Sequence, residues 1–258
     1  MITNFHTHTQ RCKHAIGSER EYVSAAIEKN MSILGFSDHG PFPDKDYGSR
    51  MDYSELNEYL QEVDSLKKEF SNEIKIYKGL EIEYLRKYET YYKELKETSG
   101  LEYIILGEHM YTDVNNEIKN IYFANNTGDY IIYAKNIEEA VGTGMFDIIA
   151  HPDLMFLTGF PWDKNCDKAV SIILSAAEKY DIPLEFNANG LRRGKFDFPD
   201  GRRYQYPHER FWNELKGSAQ RVIIGSDCHI PDLVYDNECT KALDICNNLG
   251  LNVINNIF

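Results

Sequence analysis

Apolar positions along this chain switch repeatedly between a short continuous run and a helical period, and that switching predicts strands alternating with helices. Ile2 to His6 reads as a short strand. Ser18 and Glu21 fit a capping box, after which Tyr22, Val23, Ala26 and Ile27 mark one helical face. Ser32 to Ser37 reads as a second strand. The loop that follows it, Gly40 to Asp52, is rich in Pro, Gly and Asp and long enough to act as a lid. Leu56, Tyr59, Leu60, Val63, Leu66 and Phe70 recur at helical spacing, predicting a helix over Ser54 to Phe70.

Further strands are expected at Ile74 to Tyr84, Leu101 to Gly107, Met145 to Ala150, Ile182 to Asn187 and Arg221 to Gly225. Asp113 to Lys119 is a polar stretch. Helices are expected over Tyr130 to Gly142, Cys166 to Tyr180, Pro207 to Lys216 and Asn237 to Asn248. Near-continuously apolar strands alternating with helices are the mark of βα units around a parallel sheet. No Gly-rich nucleotide fingerprint opens any helix, so a doubly wound nucleotide-binding fold is the poorer choice. An α/β fold of seven βα units, a distorted seven-stranded barrel, fits better. Chemistry in such barrels gathers at the C-terminal strand ends.

Length and composition narrow the class. A chain of 258 residues suffices for one large domain spanning 1–258, or at most two. No apolar run is long enough for a bilayer, and no basic, apolar leader opens the chain. A cytoplasmic location is expected, with the five cysteines (odd in number, no CxxC pair) as reduced thiols. The formal charge is −13, from 28 basic and 41 acidic residues. That argues against a long nucleic-acid partner.

Candidate chemistry sits at the predicted strand ends. His6 and His8 are two apart, so an extended strand aims both imidazoles to one face. Such a pair arises often by chance, but the other ends repeat the theme. They carry Asp38-His39, then Glu81 with Glu83, then Glu108-His109. Next come His151 with Asp153, Glu185 with Asn187, and Ser226-Asp227-Cys228-His229. With His14 in the first loop, seven of the eight histidines gather at one rim, and only His208 is left over. Sequence-distant ligands meeting there imply a polynuclear metal site.

Together the HTH motif, the later His14, DH, the strand-three Glu, the strand-four His, HPD and SDxH resemble the PHP (polymerase and histidinol phosphatase) family. Length and motif order look like its stand-alone histidinol-phosphate phosphatases. The resemblance implies a distorted seven-stranded barrel with three metal ions. It implies that His6, His8, Glu81 and Asp227 hold the first ion, and that Glu81 bridges to a second held by His109 and His151. His14, His39 and His229 would hold the third. Imidazoles with some carboxylate suit Zn, Fe or Mn. Two bridged ions can lower the pKa of a shared water, and a third can steady the charge of a phosphoryl transition state.

The implied reaction is hydrolysis of L-histidinol phosphate, with Glu81, Asp227, His229 and Arg192 as the catalytic set. Arg192 and Arg193 are candidates to grip phosphate, Arg192 slightly favoured, the alternative being a solvated basic turn. Arg50 and Arg11 rank lower. Glu83, Glu108, Asp153 or Asp197 would meet a cationic substrate group, or serve as supporting or surface carboxylates. Cys12 and Cys228 are thiolate ligands or buried thiols. Two departures from the family pattern, Glu108 before His109 and the absence of a basic residue in Leu154 to Leu157, bear on substrate identity. Alternatives are a phosphoesterase for nucleotides or short oligonucleotides, a C–N hydrolase of the amidohydrolase type, and a non-catalytic metal-binding module.

Overall fold

A computed structural model describes residues 1–258. Eight strands form its main sheet, in the order β1 (Thr3–Asn4), β2 (Ile33–Phe36), β3 (Lys75–Ile82), β4 (Tyr103–Leu106), β5 (Ile148–Ile149), β6 (Leu184–Asn187), β7 (Arg221–Gly225) and β8 (Asn252–Ile254). Every neighbouring pair is parallel, with registers such as Thr3 beside Ile33, Gly79 beside Tyr103 and Val222 beside Leu184. Six longer helices accompany the sheet: α1 (Glu19–Glu28), α2 (Leu56–Glu69), α3 (Glu89–Thr98), α4 (Gly128–Gly142), α5 (Lys164–Lys179) and α6 (Asn237–Leu249). None of these helices is long and apolar enough to cross a membrane.

The sheet curls. Beyond β1 the chain continues to Thr7, which bridges in parallel to Cys228 past the end of β7. Asp227 N–H donates to His6 O at 2.9 Å, and His8 N–H donates to Cys228 O at 3.0 Å. At the opposite end β8 pairs with β7 instead, through Arg221 beside Asn252. The C-terminal ends of strands one and seven, which carry His6, His8, Asp227 and His229, are thereby brought side by side.

Two apolar regions hold this arrangement. Inside the curl lie Phe5, Ile33, Tyr77, Tyr103, Ile105, Ile148, Ala150 and Ile223. Tyr103 crosses this space, its hydroxyl 2.8 Å from both Phe5 O and Phe36 O. A Cβ on Gly35 or Gly79 would come within 2.4 or 2.5 Å of the Tyr103 side chain, so only glycine leaves room for it. The second, larger region lies where helices cover the sheet, with Tyr22, Tyr59, Tyr92, Tyr133 and Trp212 fully buried.

Several local features follow the residue pattern closely. Ser18 and Glu21 form the expected capping box at α1. The helix from Ser54 resolves into a 3-10 turn, Tyr53–Glu55, and α2, with Leu56, Tyr59, Leu60, Val63 and Leu66 buried. Other expectations need correction. The sheet has eight strands, not seven, because Asn252–Ile254 joins it. Helix α3 falls in a segment so polar that only Tyr91, Tyr92 and Leu95 are buried, too few for a visible apolar stripe. The polar stretch after His109 belongs to a hairpin, Met110–Thr112 with Ile118–Asn120, and a second pairs Lys195–Phe198 with Gly201–Tyr204. The helix expected over Pro207 to Lys216 shortens to Glu209–Asn213, and the strand at Met145 to Ala150 to Ile148–Ile149.

Candidate metal centre

Glu81, near the end of β3, stands at the middle of the rim. Its Oε2 lies 3.2 Å from His6 Nε2, 3.3 Å from His8 Nε2 and 3.0 Å from His39 Nδ1. Its Oε1 lies 3.0 Å from His151 Nε2 and 3.8 Å from His109 Nε2. One carboxylate thus faces five imidazoles from four segments. Asp227 adds a second acid, with Oδ1 3.2 Å from His8 Nε2 and 3.8 Å from His6 Nε2. His14 and His229 close the outer side, their Nε2 atoms 2.9 Å apart. All nine residues expected as ligands therefore meet at one rim.

These donors group in threes with ligand atoms mutually within 4.8 Å: His6, His8 and Glu81; His6, His151 and Asp227; His39, Glu81 and His109; His14, His39 and His229. Cys12 joins His8 and His229 in a further group. His6 Nε2, both ring nitrogens of His8, Glu81 Oε2 and His151 Nδ1 are buried without a hydrogen-bond partner. Buried polar atoms ordinarily have partners, so several unpaired donors converging at one place are what a cation site requires. The residues fit a metal cluster.

Burial works to raise the Glu81 carboxyl, but His6, His39, His109 and the His151 hydrogen bond outweigh it and hold it well below the carboxylate range. Asp227 behaves likewise, lowered by His6, His8 and His229 against its burial. Both acids therefore stay anionic at neutral pH. Burial holds His229 down to about 3, helped by the neighbouring His8 and His14, so its imidazole is a neutral donor. Backbone geometry at the rim is unusual too: His151 and Asp227 adopt positive φ, +28° and +47°. Non-glycine residues hold such conformations only where their surroundings demand it.

A layer of acids and amides sets the ring orientations. Glu185 Oε1 lies 2.6 Å from His6 Nδ1, and its Oε2 accepts from His151 N–H at 3.0 Å and Asn187 Nδ2 at 2.9 Å. Asn187 Nδ2 reaches on to Asp227 Oδ2 at 3.2 Å. A carboxylate can only accept, so His6 carries a proton on Nδ1 toward Glu185, and Nε2 is the nitrogen that faces Glu81. Asp38 accepts from Thr9 N–H at 3.0 Å, from the Thr9 hydroxyl and from His39 N–H at 3.1 Å, pinning the first loop against the second strand.

A cavity of about 300 Å³ opens over the cluster, lined beside the histidines by Tyr122, Asn189, Arg192, Arg193, Tyr206 and Leu233. Of the two candidate arginines, Arg192 is already engaged. It bonds Asp236 at 2.8 and 3.0 Å, Ser226 O at 2.5 Å and Ser226 Oγ at 2.7 Å. Arg193 instead lies over the Tyr206 ring, 5.5 Å from its centroid, and lines this cavity and an adjoining one of about 310 Å³. Both arginines line the first cavity, but Arg192 is committed to Asp236 and Ser226 and Arg193 is not.

The lower-ranked candidates divide similarly. Arg11 is tied to Glu19 and Glu58, away from the rim. Arg50 and Glu83 form a buried pair beside His109. Glu108 is buried and accepts from Tyr84 N–H at 2.9 Å, and Asp153 accepts from His208 N–H at 2.5 Å and Trp212 Nε1 at 3.0 Å. Neither lines the cavity. Asp197 lies on the exposed hairpin, opposite Arg202. Cys228 is a buried thiol, raised to about 12 by desolvation, as is Cys12. His208 packs on Phe156 and Trp162, outside the cluster. Tyr122 and Tyr206 were not singled out from the sequence; each follows a connection whose path the apolar pattern leaves open.

Comparison with known proteins agrees with this geometry. The PHP domain family matches residues 4–189. A Deinococcus radiodurans protein named probable histidinol-phosphatase is 29% identical over 239 residues, covering 89% of this chain and 87% of that protein. The Bacillus subtilis histidinol-phosphatase is 26% identical over 254 residues, covering 87% and 92%. Among solved structures, the histidinol phosphate phosphatase of Lactococcus lactis, complexed with Zn, L-histidinol and phosphate, has a TM-score of 0.71 at 21% identity. The match covers 98% of this chain and 95% of that one, a likeness of fold.

Proposed function

The chain belongs to the PHP family, and on that premise we propose that residues 1–258 form one domain that hydrolyses L-histidinol phosphate to L-histidinol and phosphate. The observation that carries this reading is the convergence of nine donor residues, several with unpaired buried atoms, beneath a cavity with a free guanidinium. Relatives that share most of the chain's length carry the histidinol-phosphatase name.

In this reading His6, His8, Glu81 and Asp227 would hold one ion, Glu81 with His109 and His151 a second, and His14, His39 and His229 a third. Imidazole with two carboxylates suits Zn, Fe or Mn. When bound, such ions supply Lewis acidity and a nucleophilic water at neutral pH. The remaining work falls to the chain. Arg193 grips the phosphoryl oxygens, and its planar fork both orients the ester and offsets developing charge. Tyr122 and Tyr206 flank that guanidinium and narrow the approach. Glu185 keeps the His6 ring in the ligating tautomer. Glu81 and Asp227, anionic across the working range, balance the cations and leave the cavity net positive toward a phosphate dianion. The substrate is a small phosphorylated metabolite.

The test is a panel of phosphate esters assayed on chelator-treated protein reloaded with Zn, Mn or Fe. L-histidinol phosphate should lead the panel by kcat/KM, with turnover lost on chelation. Turnover that survives complete demetallation excludes the reading, and a preference for nucleoside phosphates redirects it to the nucleotide class.

A further inference from the structure

The loop Gly40 to Asp52 forms one wall of the second cavity, through Tyr47, Gly48, Ser49 and Arg50. Pro43 to Asp46, Gly48 and Ser49 are exposed, yet Arg50 is 5% exposed. Its guanidinium makes two parallel bonds to Glu83, Nη1 to Oε2 and Nη2 to Oε1, both 3.0 Å. The same group gathers the loop on itself, donating to Gly40 O at 3.0 Å and Gly48 O at 3.2 Å. Glu83 Oε1 then accepts from His109 Nδ1 at 3.3 Å. The two ends of the loop are also anchored, by buried Phe42 and Met51 and by Tyr91 Oη donating to Pro41 O at 2.8 Å, while Lys13 with Asp46 and Asp52 is solvent-exposed and worth little. A buried ion pair is poor evidence of added stability, because desolvation offsets its attraction. What a rigid, bidentate buried fork does supply is position.

We propose that Arg50 is a latch and positioning residue: by clamping Glu83 it fixes the tautomer and direction of His109 and, in the same contact, holds the cavity wall in place. Loop order and the affinity of the ion held by His109 are thus set together. This rests on the reading of His109 as a metal ligand, so that reading is tested separately.

Four variants decide it: Arg50→Met, Arg50→Lys, Glu83→Gln and, as the ligand control, His109→Ala. Zn²⁺ affinities are measured ion by ion by competition with a chromophoric chelator, and loop order by the rate of tryptic cleavage after exposed Lys45. Arg50→Met and Glu83→Gln should retain full stoichiometry but weaken one ion by roughly 10–100-fold, the others unchanged. Cleavage after Lys45 should speed up by about tenfold or more, on the order of the loosening that loss of a charged hydrogen bond allows. Arg50→Lys should shift both readouts in the same direction by less. A merely structural role would weaken all ions together or lower the Tm with affinities intact, and either result overturns the latch. So does movement of one readout without the other. Should Arg50→Met not fold, Arg50→Lys and Glu83→Gln decide by the same criteria. If His109→Ala binds every ion of the parent, the ligand reading fails and the latch with it; if His109→Ala loses one ion while the other variants match the parent, the latch alone fails.

Discussion

Replacing Glu185 by Gln changes one oxygen to a nitrogen with almost no change in shape, and the surrounding bonds leave the amide no good orientation. Oε1 sits 2.6 Å from His6 Nδ1, and Oε2 receives donors from His151 N–H and Asn187 Nδ2. With its NH₂ toward His6, the amide forces Nδ1 to accept, moves the ring proton to Nε2 and blocks the nitrogen that faces Glu81. With its NH₂ the other way, it meets two donors and leaves them unpaired. Glu185 is 1% exposed, so water cannot rescue either arrangement. Loss of the partner of a ligating imidazole costs roughly 10–100-fold in metal affinity, which is about 1.4–2.8 kcal/mol. Losing a charge-assisted bond in the metal-free protein costs about 2 kcal/mol, or a fall in Tm of roughly 4–8 °C at this chain length.

The assay is a chelator competition titration of Glu185→Gln beside the parent, with a melt of each metal-free protein. The expected result is one ion weakened at least tenfold, with the ions that do not involve His6 unaltered. Equal affinities within twofold, at a lowered Tm, would show that the His6 ring is set by something other than Glu185.

Three further outcomes are expected. A Cβ on Gly107 would meet Glu81 Oε1 at 2.0 Å, so Gly107→Ala should displace the central carboxylate and lower metal content measured by atomic absorption, while costing only about 1–3 kcal/mol of overpacking in the melt. Arg193→Ala should leave metal content and Tm near the parent and reduce kcat/KM by about 10–100-fold, the worth of bonds to a charged group; Arg192→Ala, which breaks its half-buried bonds to Asp236 and Ser226, should instead cost about 2 kcal/mol of stability. Burial raises Asp153 from 3.8 to about 7, against the His208 and Trp212 hydrogen bonds. The folded state then binds a proton that the unfolded chain releases near pH 4, so stability falls as pH rises from about 4 to 7 and is flat above, by about 4 kcal/mol in all. Asp153→Asn keeps the acceptor and should remove that slope from melts of the metal-free protein across the range.

The rim was legible because its signal is local and its assembly is topological. His6 and His8, Glu81 and Glu83, and Glu185 and Asn187 each stand two apart at a strand end, and a parallel sheet places all such ends at one edge whatever the side-chain details. For the same reason the sequence spacing located Glu185 without revealing its partner: two-residue spacing says which face a group shares, not which ring it touches 179 positions away. Arg192 and Arg193 show the limit most sharply. Arg192 ends the short helix Ala188–Arg192 and Arg193 caps it, so their side chains diverge: both border the cavity, but Arg192 turns its guanidinium to Asp236, an acid 44 positions on that no local pattern connects to it. The eighth strand escaped for a related reason. Asn252–Ile254 has no apolar run of its own, and it is a strand because Arg221 to Ile223 offers it a free edge. Chemistry borne by short-range spacing survives translation into sequence; chemistry decided by long-range pairing needs coordinates.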